Sequence, residues 1–121
     1  MKPLRPIRVV VANRPKLMRE AVVNAIAGQP DVVIVTEVAN ESDLAKVIAR
    51  TDPDVLIVTL QRSDRLPDAC YSLLQSHPFL KIIGVAPDRD SFQFYWASLN
   101  IQSHRLEGSR ESILEALRRS V

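Results

Sequence analysis

The chain has 121 residues, 46% of them hydrophobic and 25% charged, which fits one globular domain over residues 1–121 whose core is large enough to fold without disulfides or a structural metal. Its single cysteine, Cys70, and two histidines, His77 and His104, exclude an internal disulfide and a zinc framework and point to a reducing cytoplasm. The 16 basic and 14 acidic side chains leave a formal charge of +2, too little to argue for nucleic acid, and no apolar run approaches the ~20 residues of a membrane span.

Glycine is scarce, at Gly28, Gly84 and Gly108 only, and short β-branched runs alternate with longer segments of helical spacing. A first strand is predicted over 7–12. Leu17, Ala21, Val22, Ala25 and Ile26 then predict an amphipathic helix that stops near Gly28 and Pro30. A second strand over 32–39 leads through Asn40, expected as an N-cap with Asp43 three residues on, into a helix that turns Leu44, Val47 and Ile48 inward. The run 54–60 is almost continuously apolar, as a central parallel strand covered on both faces requires.

Pro67 suits the first turn of a third helix carrying Ala69, Cys70, Leu73 and Leu74 to a stop at His77 and Pro78, and a fourth strand is predicted over 80–86. Pro87 and Asp88 are expected to open a fourth helix, with Phe92, Tyr95, Trp96 and Leu99 at i, i+3, i+4 and i+7. A short fifth strand over 103–106 and a last helix from Ser109, with Ile113, Leu114, Ala116, Leu117 and Val121 as its stripe, complete the pattern. Arg118 and Arg119 sit where cations suit a helix C-terminus.

Five βα units predict an α/β three-layer sandwich of flavodoxin-like (βα)5 form, a parallel sheet of order 2-1-3-4-5 with helices on both faces. In such sheets the site lies at the carboxyl ends of the strands, beside the reversal in strand order.

The runs 7–12 and 17–21, the segment 53–58, the turn Gln29-Pro30-Asp31 and the closing helix resemble the receiver domain of bacterial response regulators in two-component phosphorelays. The likeness is strongest to receivers that carry a helix-turn-helix output domain. The resemblance implies a magnesium ion held by an acidic pair after the first strand, and an aspartate phosphoacceptor ending the third. Both depend on anionic oxygen. In this chain the pair falls on Asn13 and Arg14 and the acceptor on Thr59. The family's switch Ser or Thr falls on Ala86, its lysine on Glu107 and its aromatic switch position on His104. The residues thus describe a pseudo-receiver without metal, cofactor or enzymatic activity. Arg14 and Glu107 reverse the two charges the family places there, which suggests an ion pair or a network through Asn13 and Thr59; the alternative is that each faces solvent.

Cys70 is expected in the core rather than as a reactive thiol, and His77 at a helix end rather than as a ligand. Phe92, Phe94, Tyr95 and Trp96 cannot all face one side of a helix, so part of this cluster is an interface candidate alongside ordinary core packing. The expected function is signalling through a protein partner or homodimer, by the face of the fourth helix, fifth strand and fifth helix, with no direct contact to nucleic acid or membrane. A second reading is a small-ligand sensor using Asn13, Arg14, Thr59 and Glu107. A third is the receiver half of a longer transcription regulator.

Overall fold

A computed structural model describes residues 5–60, 65–86, 113, 114, 117 and 118, and the backbone of 91–96 and 106–107. The described elements are β1 (Ile7–Val11), α1 (Lys16–Ile26), β2 (Val32–Glu37), a 3-10 turn (Glu41–Asp43), α2 (Leu44–Thr51), β3 (Val55–Thr59), α3 (Asp68–Ser76), β4 (Lys81–Ala86), β5 (Ser91–Trp96) and β6 (Leu106–Glu107). β2, β1, β3 and β4 form a parallel sheet in the order 2-1-3-4. The first four predicted strands therefore stand where the periodicity puts them, within two residues at each end.

Alternation along these strands sends side chains to two apolar layers. Val9, Val11, Val55, Ile57, Ile83 and Val85 pack with Val22 and Ile26 of α1 and with Ile113, Leu114 and Leu117. The intervening Val10, Leu56, Val58, Ile82 and Ala86 pack with α2 and α3, where Cys70 is fully buried. β3 is covered on both faces, which is why it reads as an unbroken apolar run. Ile113, Leu114 and Leu117 are helical and buried, as their spacing predicts.

Polar side chains tie the layers together at the amino ends of the strands. Asp54, just before β3, accepts from Arg5 Nη1 at 2.8 Å, Arg5 Nη2 at 2.6 Å and the Arg8 amide at 2.9 Å. Burial pushes the Asp54 carboxyl up, but these donors and the two arginine charges outweigh it and hold its pKa below the ordinary carboxylate value. Arg118 does more than suit a helix end: its Nε lies 2.6 Å from Asp31 Oδ2 and its Nη2 3.0 Å from Oδ1, clamping its helix to the α1–β2 turn.

Three local expectations are corrected. Leu17 is 76% exposed and Ala21 is exposed; α1 instead buries Val22 and Ile26, with Met18, Val23 and Ala25 partly covered. The apolar stripe is thus rotated by about one residue, because 18, 22, 25 and 26 also satisfy the helical period. Asn40 makes no side-chain cap; its carbonyl accepts the Asp43 amide at 3.0 Å in the 3-10 turn that precedes α2.

The largest difference follows β4. Residues 91–96, expected in a helix, form a strand that runs antiparallel to β4, with Ile83 opposite Phe94 and Gly84 opposite Gln93. This strand occupies the place of the expected fifth parallel strand. Beyond it β6 pairs antiparallel with β5, Glu107 opposite Ser91 and Leu106 opposite Phe92. Aromatic residues at 92, 94 and 96 also fit a period of two, and aromatic side chains favour strands. A free edge on β4 decides between the two periods. Phe92, Phe94, Tyr95 and Trp96 are therefore not carried on a fourth helix, and Leu99 and His104 lie outside the described residues.

Candidate functional site

The order 2-1-3-4 reverses between β1 and β3, and the carboxyl ends of these two strands meet at that reversal. Past the end of β1, the Ala12 amide donates to Ile57 O at 2.8 Å and the Val38 amide to Val11 O at 2.9 Å. The chain is thereby held in line until Asn13, which is completely buried. Thr59 ends β3 directly beside it. Its Oγ1 accepts from Asn13 Nδ2 at 3.1 Å and from the Arg14 backbone amide at 3.2 Å. With two donors on its oxygen, the hydroxyl proton of Thr59 remains to be donated.

Asn13 Oδ1 is buried with no hydrogen-bond partner among the described residues, a cost of about 1–3 kcal/mol. The Asn13 carbonyl accepts from Arg19 Nη1 at 3.4 Å, and Arg19 Nε lies 3.4 Å from Glu37 Oε1 at the end of β2. Arg19, with a side chain only 13% exposed, therefore braces the β1–α1 loop against the carboxyl end of β2. It was not marked out in the sequence, where it is one arginine among many; its position after Leu17 and Met18 on a helix following β1 is the sole signal.

Beside this bridge lies a cleft of about 420 Å³ lined by Arg14, Asn40, Glu41, Thr59 and otherwise by apolar residues, among them Val38, Leu44, Val58 and Leu60. The β2–α2 connection, residues 38–41, forms part of its wall. Of the expected pocket residues, Asn13, Arg14 and Thr59 come together, and Ala86 is buried at the end of β4 in the α2 and α3 layer. The Glu107 side chain lies outside the described residues, so its pairing with Arg14 does too; Glu107 itself stands in β6, across from Ser91. The Arg14 guanidinium makes no ion pair or hydrogen bond among the described residues. Asn40, Glu41 and Leu44 enter the site although no motif marks them, because β2 pairs parallel with β1 and so its carboxyl end and the β2–α2 turn stand at the same end of the sheet as Asn13 and Thr59.

Chemically the described lining offers one cation, one carboxylate, one hydroxyl and one side-chain amide on an apolar floor. No group of three or more His, Cys, Asp or Glu among the described residues is arranged to hold a metal ion, and Asn13, Arg14 and Thr59 provide no anionic oxygen of the kind a divalent cation needs. The Cys70 thiol, beneath the same layer, is pushed up to about 12 by burial and secondarily by the Glu41 carboxylate, so it is neutral and no nucleophile. No helix of the described residues is long and apolar enough to cross a membrane. No protein-family model, curated protein or solved structure matches the chain.

Proposed function

We propose that this chain is a phosphorylation-independent pseudo-receiver, a non-enzymatic cytoplasmic signalling module that acts by binding a protein partner or a second copy of itself. The observation that carries the reading is the Asn13–Thr59–Arg14 bridge. Where the receiver resemblance calls for carboxylates around a metal ion, this chain has an amide and a hydroxyl bonded to each other. A parallel order 2-1-3-4 with helices on both faces is compatible with a flavodoxin-like sandwich and supports the same reading. The interface would involve the segment 91–96 and the last helix; Phe92, Phe94 and Trp96 make β5 and its surroundings the first place to test. Incubation with acetyl phosphate and magnesium, followed by intact-mass spectrometry, should leave the mass unchanged. A gain of about 80 Da, one phosphoryl group, would overturn the proposal.

A second reading, a small-ligand sensor, is favoured by the cleft itself, which Arg14 lines beside apolar residues and where it has no ion-pair or hydrogen-bond partner for its guanidinium among the described residues. The size lies in the range of about 300–1,000 Å³ typical of ligand sites. Ligand binding would then bias association of the module.

A further inference from the structure

Two opposite charges line the cleft and neither is used. Arg14 and Glu41 both border it, both are exposed, and among the described residues neither forms an ion pair or a side-chain hydrogen bond, with each other or with any other group. Nearby charges are committed elsewhere: Arg19 to Glu37, and Lys16 to Glu20 along α1. Among the described residues the lining thus carries one charge of each sign, which disfavours a dianion such as a phosphate ester, because Glu41 would repel what Arg14 attracts. The rest of the lining is largely apolar, with Val38, Leu44, Val58 and Leu60 each nearly or fully buried. Thr59 adds one hydroxyl proton free to donate, since its oxygen already accepts from Asn13 and Arg14.

We infer that the cleft binds a small zwitterion with an apolar body, an apolar α-amino acid, through the pairing of its carboxylate with Arg14, its ammonium with Glu41 and its side chain with the Val38–Leu44–Val58–Leu60 floor. Guanidinium groups bind carboxylates through paired, parallel hydrogen bonds, and Thr59 supplies a third donor to the same oxygens. Glu41 accepts from the ammonium. The apolar side chain displaces water from a surface that has little to offer it. This assignment rests on the ligand-sensor reading and names its ligand class.

Backbone amide NMR of the full chain tests it, with L-phenylalanine as probe and with phenethylamine, 3-phenylpropionate and glycine as relatives that lack its carboxylate, its ammonium and its apolar body. Phenylalanine should shift the amides of Ala12, Arg14, Asn40, Glu41 and Leu60, and each relative should bind about tenfold more weakly or worse. Arg14→Gln and Glu41→Gln, both at exposed positions, should each weaken phenylalanine by a similar factor while leaving the rest of the spectrum in place. The inference is overturned if phenylalanine leaves these amides unmoved, if it shifts a different region, or if a relative binds as tightly. Inorganic phosphate separates the two levels: shifts from phosphate without shifts from phenylalanine would retain a ligand site and remove this ligand class. Magnesium chloride alone, shifting Asn13 and Thr59, would instead count against the pseudo-receiver.

Discussion

Thr59 does the work of two partners. Its oxygen satisfies a buried amide, Asn13 Nδ2, and the backbone amide of Arg14, so it fixes the path of the chain as it leaves β1. Thr59→Val keeps the shape and removes the acceptor, stranding a buried donor. It should lower stability by about 1–3 kcal/mol in chemical denaturation, and Thr59→Ser should recover most of the loss. Gly84 illustrates the opposite case, a position defined by what is missing. A Cβ there would lie 2.8 Å from Leu60 Cγ, with the Leu60 side chain buried against the cleft. Gly84→Ala should cost about 1–3 kcal/mol through overpacking, and the penalty should shrink when Leu60 is shortened to alanine.

The behaviour of 91–96 belongs to the scale of elements. The same six residues carry an i, i+3, i+4 pattern and an alternating one, and only the neighbour they pair with distinguishes the two. Without 91–96, β4 would present an unpaired edge beyond β3, and backbone groups left open at such an edge are satisfied by a strand, not by a helix lying alongside. Carbon-13 Cα and Cβ shifts over 91–96 should accordingly show the strand signature, with cross-strand contacts between the backbones of Ile83 and Phe94. Helical shifts there would restore the fourth βα unit. α1 shows a milder form of the same ambiguity. Leu17 and Val22 both fit the helical period, and the sheet face that α1 covers selects Val22 and Ile26, leaving Leu17 at the surface.

At the scale of the molecule, the two ends of the sheet are built differently. The carboxyl ends carry the cleft and Asn13 Oδ1, unsatisfied among the described residues; the amino ends carry a fully bonded clamp in which Asp54 joins Arg5 and the Arg8 amide. Because the Asp54 carboxyl is held below its ordinary value, the unfolded chain takes up this proton at higher pH than the folded one. Its contribution to stability is thus complete above the ordinary carboxylate range and is lost as pH falls through the lowered value. Denaturation midpoints measured from neutral pH into the acid range should fall, and Asp54→Asn should be less stable at neutral pH with a flatter acid limb. An unchanged acid limb in that variant would assign the pH dependence to other carboxylates. Arg5 is exposed, so added salt should screen its share of the clamp, while the partly buried bond from the Arg8 amide persists.

What the sequence by itself determined is the alternation of elements through residue 86, the parallel order 2-1-3-4, the two-faced burial of 55–58 and the meeting of Asn13, Arg14 and Thr59 at the strand ends. The first three follow from hydrophobic periodicity and from chain connectivity, both of which are local or nearly so, whereas the fourth was implied by the receiver resemblance. The antiparallel placement of 91–96, the rotation of α1, the brace from Arg19 to Glu37 and the entry of Asn40 and Glu41 into the cleft were decided by tertiary structure alone. Each depends on which surface a segment finds to cover, and a pattern that satisfies two periods, or a charged residue on a polar turn, carries no record of that surface until the sheet has formed.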